Sequence, residues 1–385
     1  MIYLDNNATT RVLDSVWEAM RPFFVDRFVN PASAIGQFTG VDRQIAAAKS
    51  ELARALGGES GHEFVITSGA TEANNLALLG AAKANPERRH VIVSAVEHPS
   101  VLEVADSLAR AGYRITRLPV TAQGKAEIAT LRGALTRETL LVSIMLANNE
   151  TGVVQRIDEM AQLVKQADPQ ILFHTDATQA VGKVPIDLTG GLDAIDLMAF
   201  SAHKFHGPKG VGALFVRSGT KLLPISYGGG QQAGLRPGTE NPASLVGMAT
   251  ALTAATARDP QLMAPLRDRF EDAVLTGCPG ARVLGQDAPR LPNTTKIFLP
   301  GCDGDHLVDQ LAANDIAIAT GSACAHGAKR PSHVAQAMGL VHEDAQQCIR
   351  VSLAFDTKPA ELDITAETIV THFRRNALAR TDHKQ

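Results

Sequence analysis

Cysteine is scarce in this sequence, with four residues (Cys278, Cys302, Cys324 and Cys348) in 385. No two form a C-x-x-C pair, which disfavours a zinc ribbon or a thioredoxin-type motif, and no metal site is expected. No uninterrupted apolar run approaches the roughly 20 residues a membrane-spanning helix needs. The opening stretch, MIYLDNNATT, lacks a basic segment followed by an apolar one, so no secretory signal is expected there. There is no block of basic charge and the formal net charge is −3, which leaves no electrostatic footprint for nucleic acid or an anionic membrane. Neither a G-x-G-x-x-G nor a Walker pattern is present to point to a nucleotide. Together these absences predict a cytoplasmic protein without membrane or direct nucleic-acid contact.

What the chain does have is apolar content, 45% hydrophobic residues, ample for a large core. Over residues 60–217, short apolar runs alternate with helix-like segments: EFVIT before SGATEANNLALLGAAK, HVIVSA before VEHPSVLEVADSLARAG, TLLVSIML before ANNETGVV, and ILFHTD before ATQAVG. That alternation predicts an α/β fold built on a mainly parallel sheet covered on both faces. From about residue 260 the pattern changes to a smaller α+β unit. The expected division is a large domain over 15–258 and a small one made of 1–14 and 259–385. Parallel sheets bind ligands beyond the carboxyl ends of their strands. Polar residues collect at those ends: Thr67–Thr71, Glu97–His98, Asn148–Glu150, Asp176–Gln179 and Ser201–Lys204.

Each of these residues has an ordinary reading and a chemical one. TSGATEANN puts small and hydroxyl residues between strand and helix, where backbone N–H groups and the helix N-terminus suit a phosphate, although Thr71 alone equally caps a helix. Asp176, at the end of a buried run, is costly unless paired, either in an ion pair or against a protonated ring nitrogen. His98 could lie flat on an aromatic ring and shuttle protons, or be a loop histidine. Lys204 follows the run DLMAF and precedes GPKGVG. A lysine desolvated in a cleft is nucleophilic and forms a Schiff base with an aldehyde. An acid, a phosphate cradle, a flat-stacking histidine and a lysine in one crevice fit pyridoxal 5′-phosphate better than any nucleotide. Small residues flank Cys324 in ATGSACAHG, which fits either a small buried residue or a reactive thiol.

The same stretches carry a resemblance. YLDNNATT (3–10), TSGATEANNLA (67–77), EHPSV (97–101), ANNETG (147–152), HTDATQAVGK (174–183), SAHKFHGPKGVGALFV (201–216), GTEN (238–241), RLPNT (290–294) and GSAC (321–324) are similar to motifs of the cysteine desulfurases, in the NifS and IscS group of class V aminotransferases. The likeness runs over nearly the whole chain. It implies the type I, aspartate-aminotransferase-like fold of pyridoxal-phosphate enzymes and a homodimer. It implies removal of sulfur from L-cysteine, giving L-alanine and a persulfide on Cys324. Lys204 resembles the lysine that carries the cofactor and removes the Cα proton. Ala70, Thr71, Ser201 and His203 resemble the phosphate contacts, and Thr239 the contact lent by the second subunit. Asp176 would face the ring nitrogen, Gln179 the ring oxygen and His98 the ring face. Asn149 and Arg350 resemble the receivers of the substrate carboxylate. Beyond the family pattern, His326, two residues after Cys324, is a candidate for managing protons.

The resemblance further implies a sulfur-acceptor protein, with an iron–sulfur scaffold first and thiolation of tRNA, DNA or a cofactor after. Cys324 could transiently ligate an iron–sulfur cluster. The chain departs from the family around Gly36, in NPASAIGQF, which lacks the usual histidine, at Gln232 and Ala233 in GGGQQAG, at Ala354 in SLA, and at Lys329–Arg330. Its end, ARTDHKQ, is expected to lack the longer tail by which IscS-type members engage the scaffold. A selenocysteine lyase, another class V aminotransferase or lyase, and a non-enzymatic sulfur relay are the competing expectations.

Overall fold

The computed structural model describes residues 1–321 and 331–382, apart from the side chains of His62 and residues 376–382. Its strands are β1 (Ile2–Tyr3), β2 (Phe64–Thr67), β3 (His90–Ser94), β4 (Arg114–Leu118), β5 (Thr139–Ser143), β6 (Leu172–Asp176), β7 (Leu197–Ser201), β8 (Gly212–Val216), β9 (Arg282–Val283), β10 (Thr294–Phe298), β11 (Ile316–Ala317) and β12 (Cys348–Ser352). Strands β2 to β8 form one sheet in the order β2-β8-β7-β6-β5-β3-β4. Its neighbours from β4 through β7 pair in parallel, and β8 alone runs antiparallel, between β7 and β2. The sheet is therefore mainly parallel, as the alternation predicts.

Every residue of β5 and β7 is buried. The period of two sends Leu197 and Ala199 to one apolar layer and Met198 and Phe200 to the other. Helices Ala70–Ala84 and Pro99–Arg110 cover the first face, and helices Val41–Leu56 and Pro242–Thr256 the second. Gly212 illustrates how tightly β8 is packed. A Cβ there would lie 2.4 Å from the Phe200 carbonyl oxygen and 2.8 Å from the Gly69 Cα, so no side chain fits.

Two expected helices are absent. ANNETGVV is a loop, and the helix after β5 begins only at Ile157. Asn148 closes that loop instead, its Oδ1 accepting from the Glu150 and Thr151 amides while its Nδ2 donates to the Val96 carbonyl. ATQAVG is likewise a turn, with Gly182 at φ 76°. The Gly182 Cα faces Ala255 and Phe205 too closely for a Cβ.

A second apolar core joins Leu4 to Phe270, Val274, Ile297, Ile349, Val351 and Ile369. It is built on the antiparallel sheet β12-β10-β9, and β1 pairs in parallel with β11. The start of the chain thus packs into its last third. Among the described residues no helix is long and apolar enough to cross a membrane.

One buried ion pair ties the two cores together. Glu150, in the loop after β5, accepts from Lys296 of β10, and both side chains are shielded from water. Ser332 Oγ donates to the same carboxylate oxygen at 2.5 Å, and Lys296 Nζ also reaches the Thr320 carbonyl at 3.3 Å. Burial alone would raise the Glu150 pKa, but the charge and hydrogen bond of Lys296 hold it below the usual range. Removing one member leaves an uncompensated buried charge. Lys296→Met is expected to lower unfolding free energy by about 3–5 kcal/mol. Adding Glu150→Gln should recover part of that loss, both read from urea denaturation.

Candidate active site

Five strand ends open on one crevice of 510 Å³. It is lined by Ala70, Thr71, His98, Asn149, Asp176, Gln179, Ser201, His203, Lys204 and Arg350, all singled out in the sequence. Thr239 lies elsewhere, in an adjoining cavity of 210 Å³ lined also by Gln232, Arg236 and Glu240. Gly210 borders both spaces. Cys324 and His326, with Lys329 and Arg330, lie outside the described residues; Gly321, just before them, lines the crevice.

At one end of the crevice, helix Ala70–Ala84 starts after Gly69 with no side chain capping it. The first N–H groups of a helix have no intrahelical acceptor, and the macrodipole adds positive potential. Ser201, at the end of β7, and His203, in the turn after it, line the same crevice, as does Lys209. Burial, then the charges of Lys204, Lys209 and Lys183, push the His203 pKa down to about 4. Its Nδ1 lies 3.1 Å from Thr9 Oγ1. This is a donor-rich end suited to a phosphate.

Asp176 closes β6 and is 4% exposed. One carboxylate oxygen accepts from Asn74 Nδ2 at 2.8 Å, the other from the Thr178 amide at 2.9 Å. Asn74 also donates to Ser100 Oγ, which sits 2.8 Å from His98 Nδ1. The Ser100 amide donates to that same Nδ1 at 3.1 Å, so Nδ1 is an acceptor and the neutral ring carries its proton on Nε2. Burial lowers the His98 pKa, with Asp176 opposing. Asp176 and His98 are thus held by one network, and Asn74 and Ser100 are its unforeseen members. Neither stands out in the sequence, because their value lies in a contact between separate helices.

Lys204 Nζ donates to the carbonyls of Asn7 at 2.8 Å and Ala8 at 2.6 Å. Gln179 Nε2 donates to the same Asn7 carbonyl at 2.9 Å. The Asn7 side chain bonds the Asn149 carbonyl and Thr294 Oγ1, so the stretch DNNATT is part of the site. Arg350, 3% exposed, spends Nη2 on Asp5 at 2.5 Å and Nη1 on the Asn149 carbonyl at 3.2 Å. Its buried Nε has no partner among the described residues, a donor left for an incoming acceptor. A phosphate cradle, a fixed carboxylate, an amine and a spare guanidinium N–H fit pyridoxal phosphate with an amino acid beside it.

The departures also find physical places. A Cβ on Gly36, in the short helix Ala34–Thr39, would lie 2.2 Å from the Asn30 carbonyl oxygen, so no side chain fits there. Gln232 Oε1 accepts from Lys49 Nζ at 2.7 Å and from the Ile66 amide at 3.0 Å, and its Nε2 donates to Glu240. Ala233 follows at φ 56°. Ala354 lines a smaller cavity on another side of Lys204.

The family model "Aminotransferase class-V" matches residues 2–364. A cysteine desulfurase of Cereibacter sphaeroides is 44% identical over 96% of this chain and 94% of its own length. The cysteine desulfurase NifS of Azotobacter vinelandii is 42% identical over 94% of this chain and 90% of its own. A solved NifS-like protein superposes with a TM-score of 0.89 at 34% identity, covering 97% of this chain and 99% of that one.

The buried ionisable groups set how the fold responds to acid. His174, fully buried behind Asp176, has its pKa pushed by burial down to about 4 from an ordinary 6.5. The unfolded chain therefore takes up that proton first, and stability falls as pH drops from 6.5 to 4. Glu97, raised by burial to about 8, has the opposite sign, because the fold binds its proton before the unfolded chain does. His174→Gln should flatten the fall of the apoprotein's urea midpoint across that window, and Glu97→Gln should steepen it.

Proposed function

The chain belongs to the class-V aminotransferase family and is a pyridoxal-phosphate-dependent cysteine desulfurase, and from that premise we propose which residues carry the reaction. The single observation behind the assignment is the convergence of ten sequence-selected residues on one crevice. When bound, pyridoxal phosphate supplies an aldehyde for amines and an electron sink for the Cα–H bond of cysteine. The start of helix Ala70–Ala84, with Thr71, Ser201 and His203, holds its phosphate. Asp176 keeps a proton on the ring nitrogen, its own orientation fixed by Asn74 and the Thr178 amide. His98 covers the ring face as a neutral imidazole, and Gln179 donates to the ring oxygen.

Arg350 and Asn149 receive the carboxylate of L-cysteine, Arg350 through the Nε that no described residue uses. Lys204 would hold the cofactor, and its Nζ takes the Cα proton of the substrate. The carbonyls of Asn7 and Ala8 orient that nitrogen. The thiolate of Cys324 attacks the substrate sulfur. An S–S bond forms as the Cβ–S bond breaks, its electron pair takes up a proton at Cβ, the proton held on Lys204 Nζ is returned to Cα, and alanine leaves. Cys324 retains a persulfide, so no outside oxidant or reductant is needed.

The other three cysteines are described, and all are buried. Burial raises the Cys278 and Cys348 thiols to about 11, which makes them poor nucleophiles. Apolar cores within each part support a large domain over 15–258 and a small one of 1–14 with 259–385, with a further cluster of Val96, Met145, Leu284 and Val334 where the two meet. Thr239, set in the adjoining cavity, supports a homodimer in which it completes the partner's phosphate site. Likeness to the NifS group supports an iron–sulfur scaffold as acceptor and a cytoplasmic setting.

Lys204→Ala is expected to abolish turnover; covalent cofactor surviving in it after borohydride reduction would overturn that role. Cys324→Ser should still bind pyridoxal phosphate and cysteine but lose persulfide and alanine. Mass spectrometry after brief exposure to cysteine checks this, and a sulfur adduct on another cysteine instead would sink the assignment. Rates on selenocysteine and cysteine, compared side by side, separate this activity from a selenocysteine lyase.

A further inference from the structure

Lys183 is an expensive residue to keep where it is. It is 7% exposed, in the turn after Gln179, and its Nζ donates to two amide oxygens rather than to a carboxylate. These are Gln179 Oε1 at 2.7 Å and Asn7 Oδ1 at 3.3 Å. Burial first, then the nearby charges of Lys204 and Arg350, lower its pKa to about 7. A methionine would fill the same space without that cost. Lys183 does not line the main crevice. It borders the smaller cavity on another side of Lys204, and the Gln179 side chain, which does line the crevice, is bonded between the two.

As an ammonium, Lys183 offers donors only and meets the Gln179 carboxamide at its oxygen; when the amine is neutral, the Asn7 carbonyl holds the same orientation. The Asn7 carbonyl offers an acceptor only, and it takes one hydrogen of Nε2 at 2.9 Å. A reversed amide would set its NH₂ against the ammonium and its oxygen against a carbonyl oxygen. The observed orientation leaves the second Nε2 hydrogen for the crevice. We propose that Lys183 is a positioning residue for the cofactor's ring oxygen, locking the Gln179 carboxamide with Nε2 toward the crevice and polarising that N–H through Oε1. The proposal rests on the reading of Gln179 as the ring-oxygen contact. It assigns this buried lysine to the electrostatics of the cofactor rather than to the fold.

The test is a double-mutant cycle of Lys183→Met and Gln179→Leu on the full chain. It reads pyridoxal phosphate affinity by fluorescence on reconstituting the apoprotein, and the visible band of the holoenzyme with no cysteine present. Lys183→Met alone is expected to weaken affinity by roughly three- to tenfold, the scale of one hydrogen bond, and to move the pH at which the visible band changes. In the Gln179→Leu background the same change should have no further effect. An equal loss in both backgrounds, or no loss in either, overturns the role of Lys183. If Gln179→Leu itself leaves affinity and band unchanged, the ring-oxygen reading fails, and the proposal with it. Should Lys183→Met not fold, a neutron map of the wild-type protein decides: the Gln179 oxygen toward Lys183 supports the proposal, and its nitrogen there overturns it.

Discussion

The site depends on the backbone and side chain of Asn7. Its carbonyl accepts from both Lys204 Nζ and Gln179 Nε2, and its side chain reaches the Asn149 carbonyl, Thr294 and Lys183. Three strand ends of the large sheet and one strand of the small sheet therefore meet at a single residue six positions from the chain start. A carbonyl oxygen has two lone pairs, and here both are spent on groups that must be aimed. The Lys204 amine is oriented by backbone, which cannot rotate away as a side chain could.

Around that point the molecule keeps polar and ionisable groups in places where burial penalises them. Asp176, Glu97, His174, Lys183 and the Glu150–Lys296 pair are all almost wholly shielded from water. Each is retained by partners on another element: Asn74 for Asp176, Ser94 and the Met145 amide for Glu97, Ser143 for His174. A parallel sheet makes this arrangement workable. Its apolar strands supply the stability, and its carboxyl ends bring backbone N–H groups and helix starts to one side. The Glu150–Lys296 pair adds a link between the two cores, through Ser332 and the Thr320 carbonyl on either side of residues 322–330.

Much of this was legible. Alternating apolar runs identified the sheet, because strands buried on both faces leave a continuous hydrophobic signature. The residues after those runs identified the crevice, because chain order places successive strand ends on one edge. Boundaries were less legible. ANNETGVV and ATQAVG carry residues compatible with a helix, yet Asn148 and Gly182 turn them into loops through contacts with Val96, Phe205 and Ala255. Nothing local announces such contacts. The same holds for Asn74, Ser100 and Lys183, which are ordinary helix or turn residues until a distant group lies against them.

The sequence by itself determined the class of fold, the family, and the chemistry available: a lysine, a carboxylate, a histidine and a turn rich in small and hydroxyl residues at strand ends, with a cysteine beyond. Those follow from residue type and order, which local rules read directly. Tertiary structure decided how each group is held and in what state: Lys204 on two carbonyls, His98 as the Nε2–H tautomer, Arg350 with one donor that no described residue takes, and Gln179 fixed between Lys183 and Asn7. Orientation and proton affinity are set by burial and by partners that come from elsewhere in the chain. No pattern along a single stretch encodes them.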